Sequence, residues 1–455
     1  MKRTRWPASG CTNRRLRGIR LGALLLLALT LVAGAASATT VQGRISTTSY
    51  HFDPLATPGD PDRSTELDLI NRLSLDIREI GTPSLSLYMF GVLRGEALVD
   101  GLDNSEGRLY RGHLRYSPSR RFALTVGRQW AYGGVGSAQF DGAQLMWRPS
   151  IGQLVLFGGS RGHLDPDRDA VDCLCDKGWD DSGIAGAFFR SREIADQLSL
   201  GASASRSMWN GETESERVGV LASWRPQART VLFYEHRYET TQEKSYFQHL
   251  RLSRSLDHGG LAALTWNRRE AYLPEFENSY IFQRFQDEPW FPEALDQRTD
   301  EIRGHLSLRP ESLRGWRMNL ELLEIFPEGR DRGDGAGISF DKGGVRFGYK
   351  ARRGYRGKVD GFYGSLRHQL RERTRLWLDL NRVTYRFEYE GLPEIDPASR
   401  YTVASRLGLD HGLDNGFDFT VAGEVLDNRA AKYEVRFLAR VVYRFRQASG
   451  SGEVK

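Results

Sequence analysis

The sequence predicts an all-β fold: a transmembrane antiparallel up-and-down β-barrel of 18–22 strands behind a removable leader. Three observations point there. Strand-like stretches alternate apolar and polar residues, the connections between them alternate short and long, and the last stretch ends on an aromatic residue. From Tyr433 to Phe445 the apolar series is Tyr433, Val435, Phe437, Ala439, Val441, Tyr443 and Phe445, interleaved with Glu434, Arg436, Arg440 and Arg444. Successive side chains of a strand point to opposite faces, so this segment has one greasy and one mostly charged face. Aromatic residues at both ends of the greasy face suit a strand that crosses a bilayer.

The leader comes first in the chain. Lys2, Arg3, Arg5, Arg14, Arg15, Arg17 and Arg20 form a basic region, Leu21 to Gly34 an apolar core, and Ala36-Ser37-Ala38 a cleavage site. The core is too short for a spanning helix, which needs roughly 20 residues. Residues 1–38 are therefore expected to be a secretory signal, 39–445 the barrel and 446–455 a polar tail. The whole chain has 64 basic and 58 acidic residues. Seven of the basic ones leave with the signal, so the remainder is almost neutral and nothing in its charge invites nucleic acid.

Next come the strands. Val218, Val220, Ala222 and Trp224 form one apolar series, and Leu198, Leu200, Ala202 and Ala204 face Ser199, Gly201 and Ser203. Met318, Leu320 and Leu322 oppose Arg317, Asn319 and Glu321, and Val345, Phe347 and Tyr349 oppose Arg346, Gly348 and Lys350. Mean hydropathy is −0.50, as a barrel allows, because lipid-facing and water-facing residues average out. Short turns are expected near 79–83, 117–121, 148–152, 225–229, 256–260 and 309–315. Longer connections are expected at 53–65, 95–106, 130–139, 158–182 and 269–299. Such asymmetry puts short turns inside the cell envelope and long loops outside. About 21 strands can be counted, an odd number where even ones are the rule, so one is misread. The parity fails between Pro327 and Thr374 or inside 269–299.

The inward faces carry the candidate functional residues. Arg217, Arg346, Lys350, Arg436, Arg440 and Arg444 are expected to line the lumen, with Asp76, Glu321, Asp379 and Glu424 on the same faces. Two readings stand open: a basic wall that attracts anions, or arginines paired with acids across neighbouring strands. The insertion 269–299 is aromatic and acidic. Tyr272, Tyr280, Phe285 and Trp290 make it a candidate constriction loop that folds over or into the pore.

Gly127-Arg128-Gln129, followed after ten residues by Phe140-Asp141-Gly142 and then Leu145, resembles the G-R-Q…F-D-G-x-x-L pattern of alginate-export-type porins and related substrate-specific outer-membrane channels. In that family an arginine-rich constriction handles an acidic polysaccharide, and Arg128 is the position the resemblance carries over as pore-lining. The glycine-rich link Tyr132–Gly136 departs from the alginate exporters. The residues alone also fit a strand end with a glycine turn and Asp141 fixing backbone amides. The closing Phe445 likewise resembles the C-terminal signal of bacterial outer-membrane barrels, which implies recognition by the barrel-assembly machinery.

Cys173 and Cys175 lie in an acidic loop, 165–181, read as solvated surface, with a strained C-x-C disulfide or a metal site on Asp165, Asp167, Asp169 and Asp176 as the alternatives. No hydrolase constellation and no C-x-x-C-H haem motif occurs, so neither an enzyme nor a cofactor is expected. The expected function is passive diffusion of small hydrophilic solutes, anionic ones included, across the outer membrane. The alternative is a sleeve for a partner such as a periplasmic multihaem cytochrome. Lipid is the expected surrounding of the outer wall, and a homotrimer would suit the same greasy surface.

Overall fold

Strands whose outer side faces lipid have no water to satisfy an open edge, so they persist only as a closed ring. A computed structural model of the protein has that ring. It describes residues 40–448 apart from 53–65, 99–100, 103–105, 134, 162–181, 210, 271–297, 356, 387–400 and 429–433. The first strands are β1 (Thr40–Phe52), β2 (Glu66–Arg78), β3 (Leu85–Leu98), β4 (Gly101–Leu102), β5 (Glu106–Ser119), β6 (Phe122–Gly133) and β7 (Gly136–Trp147). There follow β8 (Gly152–Arg161), β9 (Gly183–Ser191), β10 (Leu198–Trp209), β11 (Glu212–Gln227), β12 (Thr230–Glu239), β13 (Lys244–Ser255), β14 (Leu261–Arg269) and β15 (Thr299–Leu308). The last are β16 (Arg317–Pro327), β17 (Gly333–Lys342), β18 (Val345–Arg353), β19 (Lys358–Arg371), β20 (Thr374–Arg386), β21 (Tyr401–Gly412), β22 (Phe417–Asn428) and β23 (Glu434–Ala448).

Each long strand pairs antiparallel with the next, and β23 returns to β1, from Thr40 opposite Ala448 to His51 opposite Phe437. β4 is a two-residue addition to the end of β3, so the barrel proper has 22 strands, the upper end of the expected range. A ring of this size, with strands about 4.8 Å apart and tilted about 40°, has a backbone radius on the order of 20 Å.

The greasy faces point out. Val218, Val220 and Trp224 on β11, Leu407 and Leu409 on β21, and Phe437 and Val441 on β23 are all exposed on the outer wall. Aromatic residues gather at the short-turn end, where Phe417 stacks on Tyr443 at 4.5 Å and Phe340 on Phe347 at 5.3 Å between ring centres. Near the other end Trp266 and Phe326 sit beneath Arg268 and Arg332. An apolar band between two aromatic rims is the outer surface of a membrane barrel. Among the described residues no helix is long and apolar enough to cross a membrane; the crossing is by strands.

The six expected short turns all fall at the end that holds Thr40 and Ala448. There the guanidinium of Arg229, hydrogen-bonded to Asp257 of the next turn, holds that exposed carboxyl below the usual range. The odd count is corrected as well. Between Pro327 and Thr374 lie three full strands, β17 to β19. Gly333, Gly335 and Gly337 occupy the inward positions of β17, so half of its alternation is missing from the sequence. At the far end of the chain β23 runs past Phe445 to Ala448, into the segment expected to be tail. The signal segment 1–38, the cysteine loop and the aromatic insertion 271–297 lie outside the described residues.

Candidate functional site: a hairpin in the lumen and a charged wall facing it

The family-like motif marks a place where the wall breaks its own pattern. β5 and β6 pair from Ser119–Phe122, through one register shift before Tyr116, up to Gly112–Arg128, and there their ladder stops. β5 continues upward paired to β3, while β6 continues paired to β7 as far as Gly133–Gly136. Gly127 sits at the break with φ of 123°, a conformation that side chains oppose, and a Cβ there would lie 2.3 Å from the Gly112 carbonyl oxygen. Arg128 then grips Asp141 across the hairpin in a bidentate pair, Nε to Oδ1 at 2.8 Å and Nη2 to Oδ2 at 2.6 Å. Its third nitrogen, Nη1, donates to the Leu109 carbonyl of β5 at 3.1 Å, and Gln139 Nε2 donates to the Tyr110 carbonyl at 2.9 Å. These side chains stand in for the missing ladder, which a strand edge at membrane depth requires.

Beyond this hinge the hairpin turns inward. Ala131 and Phe140 pack with Ile184 of β9 and Phe157 of β8, and Phe140 has no exposed surface. Val135 at the tip reaches strands four and six places around the ring. Its side chain fills the hollow over Gly219 on β11, where an added Cβ would come within 2.6 Å of Cγ1. Its carbonyl accepts a 2.7 Å hydrogen bond from the hydroxyl of Tyr246 on β13. Gly219 alternates with the lipid-facing Val218 and Val220, so the docking surface is the lumen wall. Behind it, Arg217 donates from Nε to Glu239 at 2.9 Å, and Glu239 also accepts from the Glu216 amide and the Thr241 hydroxyl. Glu239 is fully buried and Arg217 is 7% exposed, with its guanidinium 5.1 Å from the Tyr246 ring centre. The buried pair holds up the ring that holds the tip.

Across the lumen the wall has the opposite character. Asp379 on β20, Arg406 on β21, Glu424 on β22 and Arg436 on β23 stand in register, and Arg367 of β19 bonds Asp379 at 2.9 Å. Arg406 meets Glu424 at 2.9 Å, and Arg436 reaches the Tyr50 hydroxyl at 3.2 Å. Four residues toward the short-turn end, Arg375 bonds Asp410 at 2.7 Å, Asp410 accepts from Thr420 at 2.8 Å, and Thr420 accepts from Arg440 at 3.1 Å. Between these rows lie Trp377, Ala422 and Leu438. Five guanidinium groups and three carboxylates line this hollow, so positive charge is in excess.

The residues singled out from the sequence thus fall into three groups. Arg436, Arg440 and Arg444 point inward on β23, with Arg444 bonded to Asp418; Arg346 and Lys350 point inward on β18, and Lys350 meets Glu321 at 2.7 Å. Arg128 and Arg217 need correction: at 6% and 7% exposure neither faces open lumen, because one is spent in the hinge and the other under the tip. Alternation could have warned about Arg128, which has the parity of the lipid-facing Leu124 and Val126. The stretch 130–139, expected as a loop, is mostly strand. Tyr272, Tyr280, Phe285 and Trp290 lie outside the described residues; the segment seen entering the lumen is the β6–β7 hairpin. Tyr246, Gly219 and Glu239 were missed, since nothing local distinguishes them from other wall residues. Among the described residues no group of three His, Cys, Asp or Glu side chains is placed to hold a metal.

No family model and no curated sequence matches the chain. Solved structures do. The siderophore receptor PirA from Pseudomonas aeruginosa aligns over 89% of this chain and 80% of its own, at 12% identity and a TM-score of 0.54. A variant of the ferric enterobactin receptor PfeA from the same organism aligns over 89% and 81%, at 9% identity and 0.57. OccK9 (OpdG) of Pseudomonas aeruginosa aligns over 91% of this chain and all of its own, at 10% identity and 0.42. At these identities the likeness is one of fold: the chain is a barrel of the Gram-negative outer-membrane type.

Proposed function

We propose that the protein is a diffusion channel for small hydrophilic solutes that favours anions. The observation that carries this reading is the division of the lumen. The hairpin occupies the side where β8 to β11 present Val155, Phe157, Ile184, Gly201 and Gly219, and where the ion pairs Arg161–Glu214 and Arg217–Glu239 are largely closed off from water. The opposite side keeps charged groups facing water, with guanidinium in excess over carboxylate. Solute and counter-ion would move along that charged wall, and the docked tip would set the free width. A sleeve around a folded partner would need the whole bore, which the hairpin divides.

Planar-bilayer recording of the refolded protein tests this. Discrete current steps are expected, with a reversal potential of anion-preferring sign in a potassium chloride gradient. That preference should shrink as salt rises toward 1 M, where the screening length falls to about 3 Å. Absence of steps, or a cation preference at low salt, would overturn the reading.

A further inference from the structure

Where the barrel closes on itself, inward arginines stand on either side of β1 without a carboxylate partner. Arg440 on β23 lies opposite Thr48 of β1 on one side and Thr420 of β22 on the other. Its Nη2 donates to Thr420, and its Nε is buried with no hydrogen-bond partner. From β2, Arg72 Nη1 approaches the Thr48 hydroxyl at 3.4 Å. Both threonines are 6% exposed, so the two guanidinium groups roof them on the lumen side. Among the described residues neither arginine has a carboxylate partner. Asp410, which Thr420 also touches, is engaged by Arg375. Four residues toward the short-turn end, Arg44 stands opposite Arg444, and Asp418 is bonded to the latter. A wall that pairs its arginines elsewhere leaves uncompensated positive charge at this seam.

We propose that Arg440, Arg72, Thr48 and Thr420 form a binding site for a small, doubly charged oxyanion of the inorganic phosphate type. Such an ion carries two charges and several acceptor oxygens, so it can accept from the lumen-facing edges of both guanidinium groups at once and be held more tightly than chloride. The threonine hydroxyls hold both guanidinium groups to the wall and keep them apart. The site rests on the channel reading for its role, as a resting place on the permeation path, but its occupancy can be measured without any current.

The test is titration calorimetry of inorganic phosphate into the folded, detergent-held barrel, alongside block of chloride current by phosphate in bilayers. The wild type should bind saturably, and Arg440→Gln and Arg72→Gln should each weaken binding about tenfold or more. Arg353→Gln, on the outer side of β18, should leave it unchanged. Folding of every variant is checked by its heat-dependent gel mobility. Binding without current would keep the site and remove the channel. Current with no phosphate binding, or binding that survives Arg440→Gln, would remove the site and keep the channel. Equal loss in Arg353→Gln would show non-specific charge attraction and overturn the proposal.

Discussion

Gly219→Phe is expected to raise single-channel conductance about twofold or more, because the ring takes the space that the Val135 side chain now fills. Gly219 is the hollow that lets the tip lie flat against β11. A phenyl group there cannot be absorbed by small shifts, since its first carbon alone would sit 2.6 Å from Val135 Cγ1. The tip must lift, and the lumen it narrowed widens. Tyr246→Phe makes a useful comparison. It removes one hydrogen bond, worth about 1 kcal/mol, and leaves the packing intact. Brief openings above a normal baseline are expected from it, where Gly219→Phe shifts the baseline itself. Unchanged conductance in Gly219→Phe, with the variant folded, would mean that the hairpin does not set the pore width.

The second large effect concerns stability. Arg128→Ala leaves the Asp141 carboxylate in the wall without its cation and leaves the Leu109 carbonyl without its donor. Breaking a buried pair from one side costs about 3–5 kcal/mol. A matching fall is expected in the urea midpoint, read by gel mobility or tryptophan fluorescence. Adding Asp141→Asn to Arg128→Ala should recover part of the loss, because the stranded charge goes. Loss below about 1 kcal/mol, the range of an exposed ion pair, would make the Arg128–Asp141 contact ornamental.

These expectations turn on contacts that were unevenly legible in the sequence. The two-faced strands were plain, because a period of two survives wherever both faces carry side chains. Val218 to Trp224 and Tyr433 to Phe445 both kept it. It failed in β17, where glycine blanks the inner face, within one of the two stretches where the parity of the count broke. Turn positions were plain for a similar reason: Gly, Pro and charged residues cluster there. The lumen hairpin was not. Its strands read as a polar connection, and its docking partners lie far along the chain, so no local pattern joins Val135 to Gly219 or Tyr246. The motif Gly127–Gly142 drew attention through family resemblance, which suggested a pore arginine. Geometry gives the same residues a different role. Gly127 bends the strand, Gln129 bonds the Thr125 and Gly142 carbonyls, and Arg128 and Asp141 close the gap left behind. The charged wall was half legible. Which arginines face inward followed from alternation, but their partners depend on register between strands, which sequence does not state. Arg436 and Arg406 share Glu424 only because β21, β22 and β23 are aligned as they are.

The most direct measurement is a cross-link between tip and wall. In a background with Cys11, Cys173 and Cys175 replaced, Val135→Cys and Gly219→Cys should place two thiols within disulfide reach in the folded barrel. Oxidation should join them in high yield and leave conductance at its wild-type level, since the bond fixes the arrangement already present. Failure to join in barrels that are folded and conducting, or a sharp drop in current when they do join, would place the hairpin elsewhere and contradict a lumen divided between a docked tip and a charged wall.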